Sequence, residues 1–184
     1  MAPENSLEVR FMEVLTTEMG STGKAGTNKY LTFALDQEEY GLDILKVKEI
    51  IGLMEITKVP RMPDFVRGVI NLRGRIIPVI DLRRKFGMPE QDDTRETCIV
   101  VVDLDGVNMG VVVDRVSEVL DLLSEDIEET PEFGASLNAE FITGMGKSGE
   151  RVIMLLDIGK VLLGEELASL ARLEGPEEPP GHEI

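Results

Sequence analysis

Gly68-Val69-Ile70-Asn71-Leu72-Arg73-Gly74-Arg75-Ile76-Ile77-Pro78-Val79-Ile80-Asp81-Leu82 is the stretch whose reading decides the fold. Apolar runs flank a polar turn at Arg73-Gly74, where glycine supplies the positive φ that a tight hairpin can require. The return arm, Ile76 to Ile80, is β-branched apart from Pro78 and reads as a strand. Proline has no N–H to give a ladder, so this strand is predicted to lie at an edge or a bulge. Asp81 is predicted to cap a short helix, Leu82 to Phe86, which Gly87 ends. Two arginines and an asparagine around an apolar hairpin, with no nucleophile or acid beside them, suggest a contact surface more than a reaction centre.

Working outward, the same punctuation recurs. Leu31, Phe33 and Leu35 alternate with polar or small residues, Asp36-Gln37-Glu38-Glu39 turns the chain, and Tyr40, Leu42 and Ile44 alternate again. That is a hairpin. Val47, Ile50 and Ile51 follow, a run closed by Gly52 that suits either helix or strand; a tight turn and then a short strand is the favoured reading. Val59-Pro60-Arg61-Met62-Pro63 is predicted to be irregular, because prolines restrict both themselves and the residue before. Residues 88–96 form a polar linker. Cys98 to Val102 runs into Asp103-Leu104-Asp105-Gly106, whose Asp-Gly pair is a strong hairpin signal.

The second half repeats the first. A shift of 69 places Phe33 on Val102, Gly41 on Gly110, Ile44 on Val113, Val47 on Val116 and Glu49 on Glu118. A shift of 76 places Phe65 on Phe141, Gly68 on Gly144, Asp81 on Asp157, Leu82 on Ile158 and Arg84 on Lys160. Each copy carries about five short strands and a terminal helix. A single small antiparallel sheet has exposed edges and a thin core, which closing and pairing two such sheets relieves. The expectation is a mainly β protein of two small five-stranded barrels, the first mainly 29–87 and the second mainly 98–164, with strand exchange between them possible. Helices end the two units at 81–86 and 157–163, and 165–172 could continue as a helix over a seam. Residues 1–28 read as a flexible tail and 174–184 as a disordered acidic one, because neither has enough apolar residues to order itself.

The 184 residues carry a net charge of −16, which disfavours nucleic acid as a partner. The charge is uneven: −5 over residues 1–57, +6 over 58–87 and −17 over 88–184. The central block of Lys58, Arg61, Arg67, Arg73, Arg75, Arg83, Arg84 and Lys85 could meet an acidic protein or simply be a solvated face. One cysteine, one histidine and no apolar run of membrane length indicate a reducing cytoplasm, no disulfide framework and no metal centre. No basic-then-apolar leader opens the chain. The glycines at 20–26 lack phosphate-loop spacing. No Ser/His/Asp set can assemble around His182 in the tail. Cys98 reads as a small buried apolar residue, and Glu49 and Glu118 share a repeat position that suggests a common structural role. No enzyme, cofactor or metal chemistry is indicated.

Several blocks together resemble one family. Glu38 to Ile51, Gly68 to Gly74, Ile77 to Arg83, Gly110 to Leu120, Pro131-Glu132-Phe133 and Phe141 to Gly146 closely resemble the bacterial chemotaxis coupling proteins of the CheW family. The resemblance covers roughly 29–163 within an ordered domain taken as 29–173. It implies two intertwined five-stranded SH3-like β-barrels. It implies a non-enzymatic cytoplasmic adaptor in membrane-associated arrays, joining the tips of transmembrane chemoreceptors to the regulatory domain of the histidine kinase CheA. A groove lined by Val47 and its neighbours would receive the receptor's helical tip. The receptor-side positions implied are Val47, Glu49, Gly68 and Arg73, with Asn71 and Gly74 holding the hairpin. Kinase-side positions do not map to one motif. An alternative is a docking module of the same type in a chemosensory pathway unrelated to motility.

Overall fold

The computed structural model describes residues 27–129 and 141–162. The two tails, Pro131 to Phe133 and the possible helix at 165–172 lie outside the described residues. The strands are β1 (Thr27–Leu35), β2 (Glu38–Asp43), β3 (Val47–Gly52), β4 (Val66–Leu72), β5 (Arg75–Asp81), β6 (Cys98–Leu104), β7 (Val107–Val113), β8 (Arg115–Leu123), β9 (Ile127–Glu128), β10 (Ile142–Ser148) and β11 (Arg151–Leu156). Helix α1 is Leu82–Lys85 and α2 is Ile158–Leu162. The strands form two sheets, in the orders β8-β1-β2-β11-β10-β9 and β3-β6-β7-β5-β4.

The sheets do not divide at the repeat boundary. The hairpin β1–β2 of the first copy sits among strands of the second, and the hairpin β6–β7 of the second sits among strands of the first. The strand orders are related strand by strand through the sequence shifts. Even the isolated bridge Thr57–Val69 has its counterpart in Glu128–Met145 of β9 and β10. Exchange gives each sheet a parallel pair at its centre, β2 with β11 and β5 with β7. It also makes the two units one cooperative body, since neither sheet is complete without the other copy's hairpin.

Three apolar clusters follow from the alternation. Ile70, Ile77, Val79, Ile99, Val101 and Val112 fill one sheet, and Leu122, Ile153 and Leu155 fill the other. The opposite faces meet in a larger shared core that includes Phe33, Leu35, Leu42, Val47, Ile80, Val100, Val113, Ile158 and Leu162. Val100 and Val102 therefore face one core and Ile99 and Val101 another, which is why β6 is a continuous apolar run. Rings of Phe33, Tyr40, Phe86 and Phe141 stack in series at 5.8–6.0 Å between centroids and tie α1 to the start of β10.

The helix caps are as the sequence indicates. Asp81 Oδ1 accepts from the Arg84 N–H at 3.2 Å, and Asp157 Oδ1 from Lys160 at 3.1 Å. Cys98 is buried. The expectation for Pro78 requires correction, because β5 is an interior strand between β4 and β7. Pro78 lies opposite Val69, whose N–H and C=O both bond Thr57 and so turn away from β5. The pair Val69–Pro78 therefore exchanges no hydrogen bond. On the other side the ladder to β7 begins only at Val79. The proline therefore sits where the ladder to β4 asks for no donor. No helix among the described residues is long and apolar enough to cross a membrane.

Candidate protein-docking site

The β4–β5 turn is built by two residues at positive φ, Arg73 at 53° and Gly74 at 88°. Asn71 Oδ1 accepts from the Gly74 N–H at 2.9 Å and fixes the tip. The β6–β7 turn repeats the device with Asp103, Asp105 and Gly106. Such a turn matches strand twist but is strained for a residue with a Cβ, so an arginine there calls for an explanation.

The explanation is across the sheet. Arg73 donates from Nη1 to Glu49 Oε2 at 2.8 Å and from Nη2 to Glu49 Oε1 at 2.9 Å. Glu49 belongs to β3, the first strand in the sheet order, and Arg73 to the hairpin of its last strand. The two-point pair thus clasps the ends of the sheet together. Glu118 on β8 accepts from Arg151 at 2.9 Å in the other sheet, with Glu39 a further partner of that arginine at 3.4 Å. Glu49 and Glu118 therefore share a role, as their repeat position suggested. At the Arg73 clasp, the guanidinium side chain is 69% exposed and the carboxylate 28%, so the pair lies at the surface.

The other implied positions act differently. Val47 is 4% exposed and packs in the shared core. The β3 register shifts between Val47 and Glu49, with Lys48 set outside the ladder. Gly68 has φ 141°, and a Cβ built on it would lie 2.1 Å from the Thr57 carbonyl oxygen. Its lack of a side chain lets residues 56 and 57 pack against β4. Arg73 and Glu49 thus offer surface, while Val47, Gly68, Asn71 and Gly74 shape it.

Half of the basic block, Arg67, Arg73, Arg83 and Arg84, forms ion pairs. Arg67 reaches Asp93 at 3.0 Å and Asp81 at 3.6 Å, and Arg84 reaches Glu90 at 2.9 Å. Lys85 stands 4.3 Å over the Phe65 ring. Arg83 is buried and joins four segments. It donates to Asp114 at 2.9 Å, to the Pro89 carbonyl at 2.7 Å, to Asp36 at 3.4 Å and to Gln91. Asp114 also accepts from the Asp36 N–H at 2.7 Å. Burial pushes the Asp114 carboxyl up, but the hydrogen bonds from Arg83 and Asp36 outweigh it and hold the group below the usual carboxylate range. The Arg83 guanidinium is raised in turn, chiefly by its hydrogen bond to Asp114. Sequence reading missed this hub because its partners lie far apart in the chain.

Among the described residues, no three His, Cys, Asp or Glu side chains converge as metal ligands. Burial pushes the Cys98 thiol up to about 12, so it is not a nucleophile in the folded protein.

Residues 29–166 match the family model described as CheW-like domain. The chain belongs to the CheW-like family. It is 44% identical over 157 residues to "Chemotaxis protein CheW" of Klebsiella aerogenes, covering 85% of this chain and 95% of that one. It is 33% identical over 147 residues to the protein of the same description from Treponema pallidum, covering 78% and 86%. A solved CheW structure, the scaffolding protein TtCheW from Thermoanaerobacter tengcongensis, has a TM-score of 0.70 and 35% identity, covering 76% of this chain and 94% of that one. The CheW-like match spans both exchanged sheets, so the clasps and the buried arginine hub all lie within the family domain.

Proposed function

We propose that this chain is a non-enzymatic chemotaxis adaptor that couples the cytoplasmic tips of transmembrane chemoreceptors to the histidine kinase CheA. Its family and the printed descriptions of its relatives, chemotaxis protein and scaffolding protein, support that role. The single observation that carries the receptor side is the Arg73 fork, fixed by Glu49 at a rigid hairpin tip yet 69% exposed. A guanidinium held in one orientation loses little freedom when it meets a carboxylate or the carbonyls at the bend of a helical hairpin. Each contact can be weak, because an array of receptors raises the local concentration of sites. In this role the protein works in the cytoplasm beside membrane arrays, and the fold supplies rigidity instead of chemistry.

The test is reconstitution of kinase, receptor and adaptor. Receptor-dependent stimulation of kinase autophosphorylation on adding this protein supports the assignment. No stimulation with a receptor and kinase from the same pathway sinks it.

A further inference from the structure

Beside the hairpin, the chain between β3 and β4 borders a cleft of about 520 Å³, within the range of peptide and small-ligand sites. Leu53, Met54, Ile56, Met62 and Val66 give it an apolar lining, and Lys58, Arg67 and Arg84 give it cations. Methionine side chains adapt to different apolar partners. Gly68 shapes one wall, because any side chain there would displace Ile56 and Thr57.

The chain itself shows what those cations hold. Asp93 takes both hydrogen bonds of Arg67 Nη2, at 3.0 and 3.1 Å, and Glu90 pairs Arg84 at 2.9 Å. Both acids belong to the linker between the repeats, and their side chains are 42% and 73% exposed. They are carboxylates at the mouth of an apolar cleft, on a segment without regular structure. Arg84 Nε remains buried without a hydrogen-bond partner, 3.9 Å from the nearest Asp81 oxygen.

Resting on the receptor reading, we propose that this cleft is a second docking point for an acidic amphipathic helix of the receptor tip. An apolar side chain of that helix enters beside Met54 and Met62, and its carboxylates replace Glu90 and Asp93 on Arg84 and Arg67. The linker acids are internal competitors that the partner displaces. In this proposal one helix uses both sites. Val66 and Arg73 stand at opposite ends of β4, about 23 Å apart along a strand, which about 15 residues of helix span.

The experiment is a titration of the full chain, carbon-13 labelled at the methionine methyls, with a receptor-tip fragment. Met54 and Met62 are assigned by Met→Leu substitution. Saturable shifts of both methyls are expected, with the affinity found by calorimetry. Removing the competitors in an E90Q/D93N variant is expected to tighten binding about twofold to fivefold, the worth of exposed ion pairs. R67Q and R84Q are expected to weaken it by similar factors. A purely structural role for the linker acids gives no tightening. Binding that leaves both methyls unmoved, or an E90Q/D93N variant that binds no more tightly, overturns the cleft while leaving the Arg73 reading intact. Absence of any binding by the wild-type chain overturns both.

Discussion

Replacing Arg73 with alanine separates folding from docking, because the structure sets the two energies apart. In the free protein the Arg73–Glu49 pair is mostly solvated, with side-chain exposures of 69% and 28%. Exposed pairs are worth about 0.2–1 kcal/mol, and two-point geometry places this one near the upper end. In a domain of this size about 1 kcal/mol moves the melting temperature by roughly 2–4 °C. The turn itself survives, since Gly74 and the Asn71 hydrogen bond remain and alanine replaces a residue already at positive φ. In the proposed receptor complex the same guanidinium would be desolvated, and truncating a buried charged partner costs about 2–5 kcal/mol, or roughly 30-fold and more in affinity. The assay pairs thermal melts with receptor-tip titration for R73A, E49A and the double variant. The expected result is a small shift in melting temperature, a folding coupling below about 1 kcal/mol and a binding loss of at least about tenfold for R73A. R73K keeps the charge but not the fork, so it falls between wild type and R73A. A melting temperature lower by more than about 10 °C makes Arg73 a structural residue. Affinity within about twofold of wild type in a folded R73A removes it from the interface.

Three further outcomes follow from the same geometry. Gly68→Ala is expected to break the two Thr57–Val69 hydrogen bonds and destabilise the chain by about 1–3 kcal/mol, read as faster amide exchange at Thr57 and Val69. Asp114→Asn leaves Arg83 buried without its main anion and is expected to cost about 3 kcal/mol by denaturant titration. The native Asp114 pKa is depressed, so its stabilisation is fully present above the unfolded value of about 3.9 and is lost as pH falls through the lower folded value. The acid limb of the stability curve should therefore flatten in the asparagine variant. Cys98, buried with its thiol pushed up to about 12, is expected to react with a thiol reagent at pH 8 only as the protein unfolds. Rapid labelling of native protein contradicts that burial.

Local chemistry made much of the fold legible. Asp81 and Asp157 announce their helices because a cap needs only a carboxylate and the next turn's amide. Arg73-Gly74 and Asp105-Gly106 announce their hairpins because few residues tolerate positive φ. The repeat of these signals gives two related units, and alternation gives the apolar faces. The candidate hairpin was legible for the same reason: Asn71 and Gly74 act within four residues of one another.

Tertiary structure alone decided which strands meet. Period-two alternation assigns a face to a side chain but not a neighbour to a strand, so the exchange of β1–β2 and β6–β7 between sheets had no local signal. Pro78 could look like an edge residue because its tolerance depends on Thr57 turning Val69 away. The burial of Val47 in the shared core likewise depends on how β3 pairs with β6. The charge on Glu49 had no visible reason until the fold brought Arg73 to it from 24 residues away. The sequence by itself determined turns, caps, the repeat and the family. Which charges pair was decided only when long-range contacts brought the strands together.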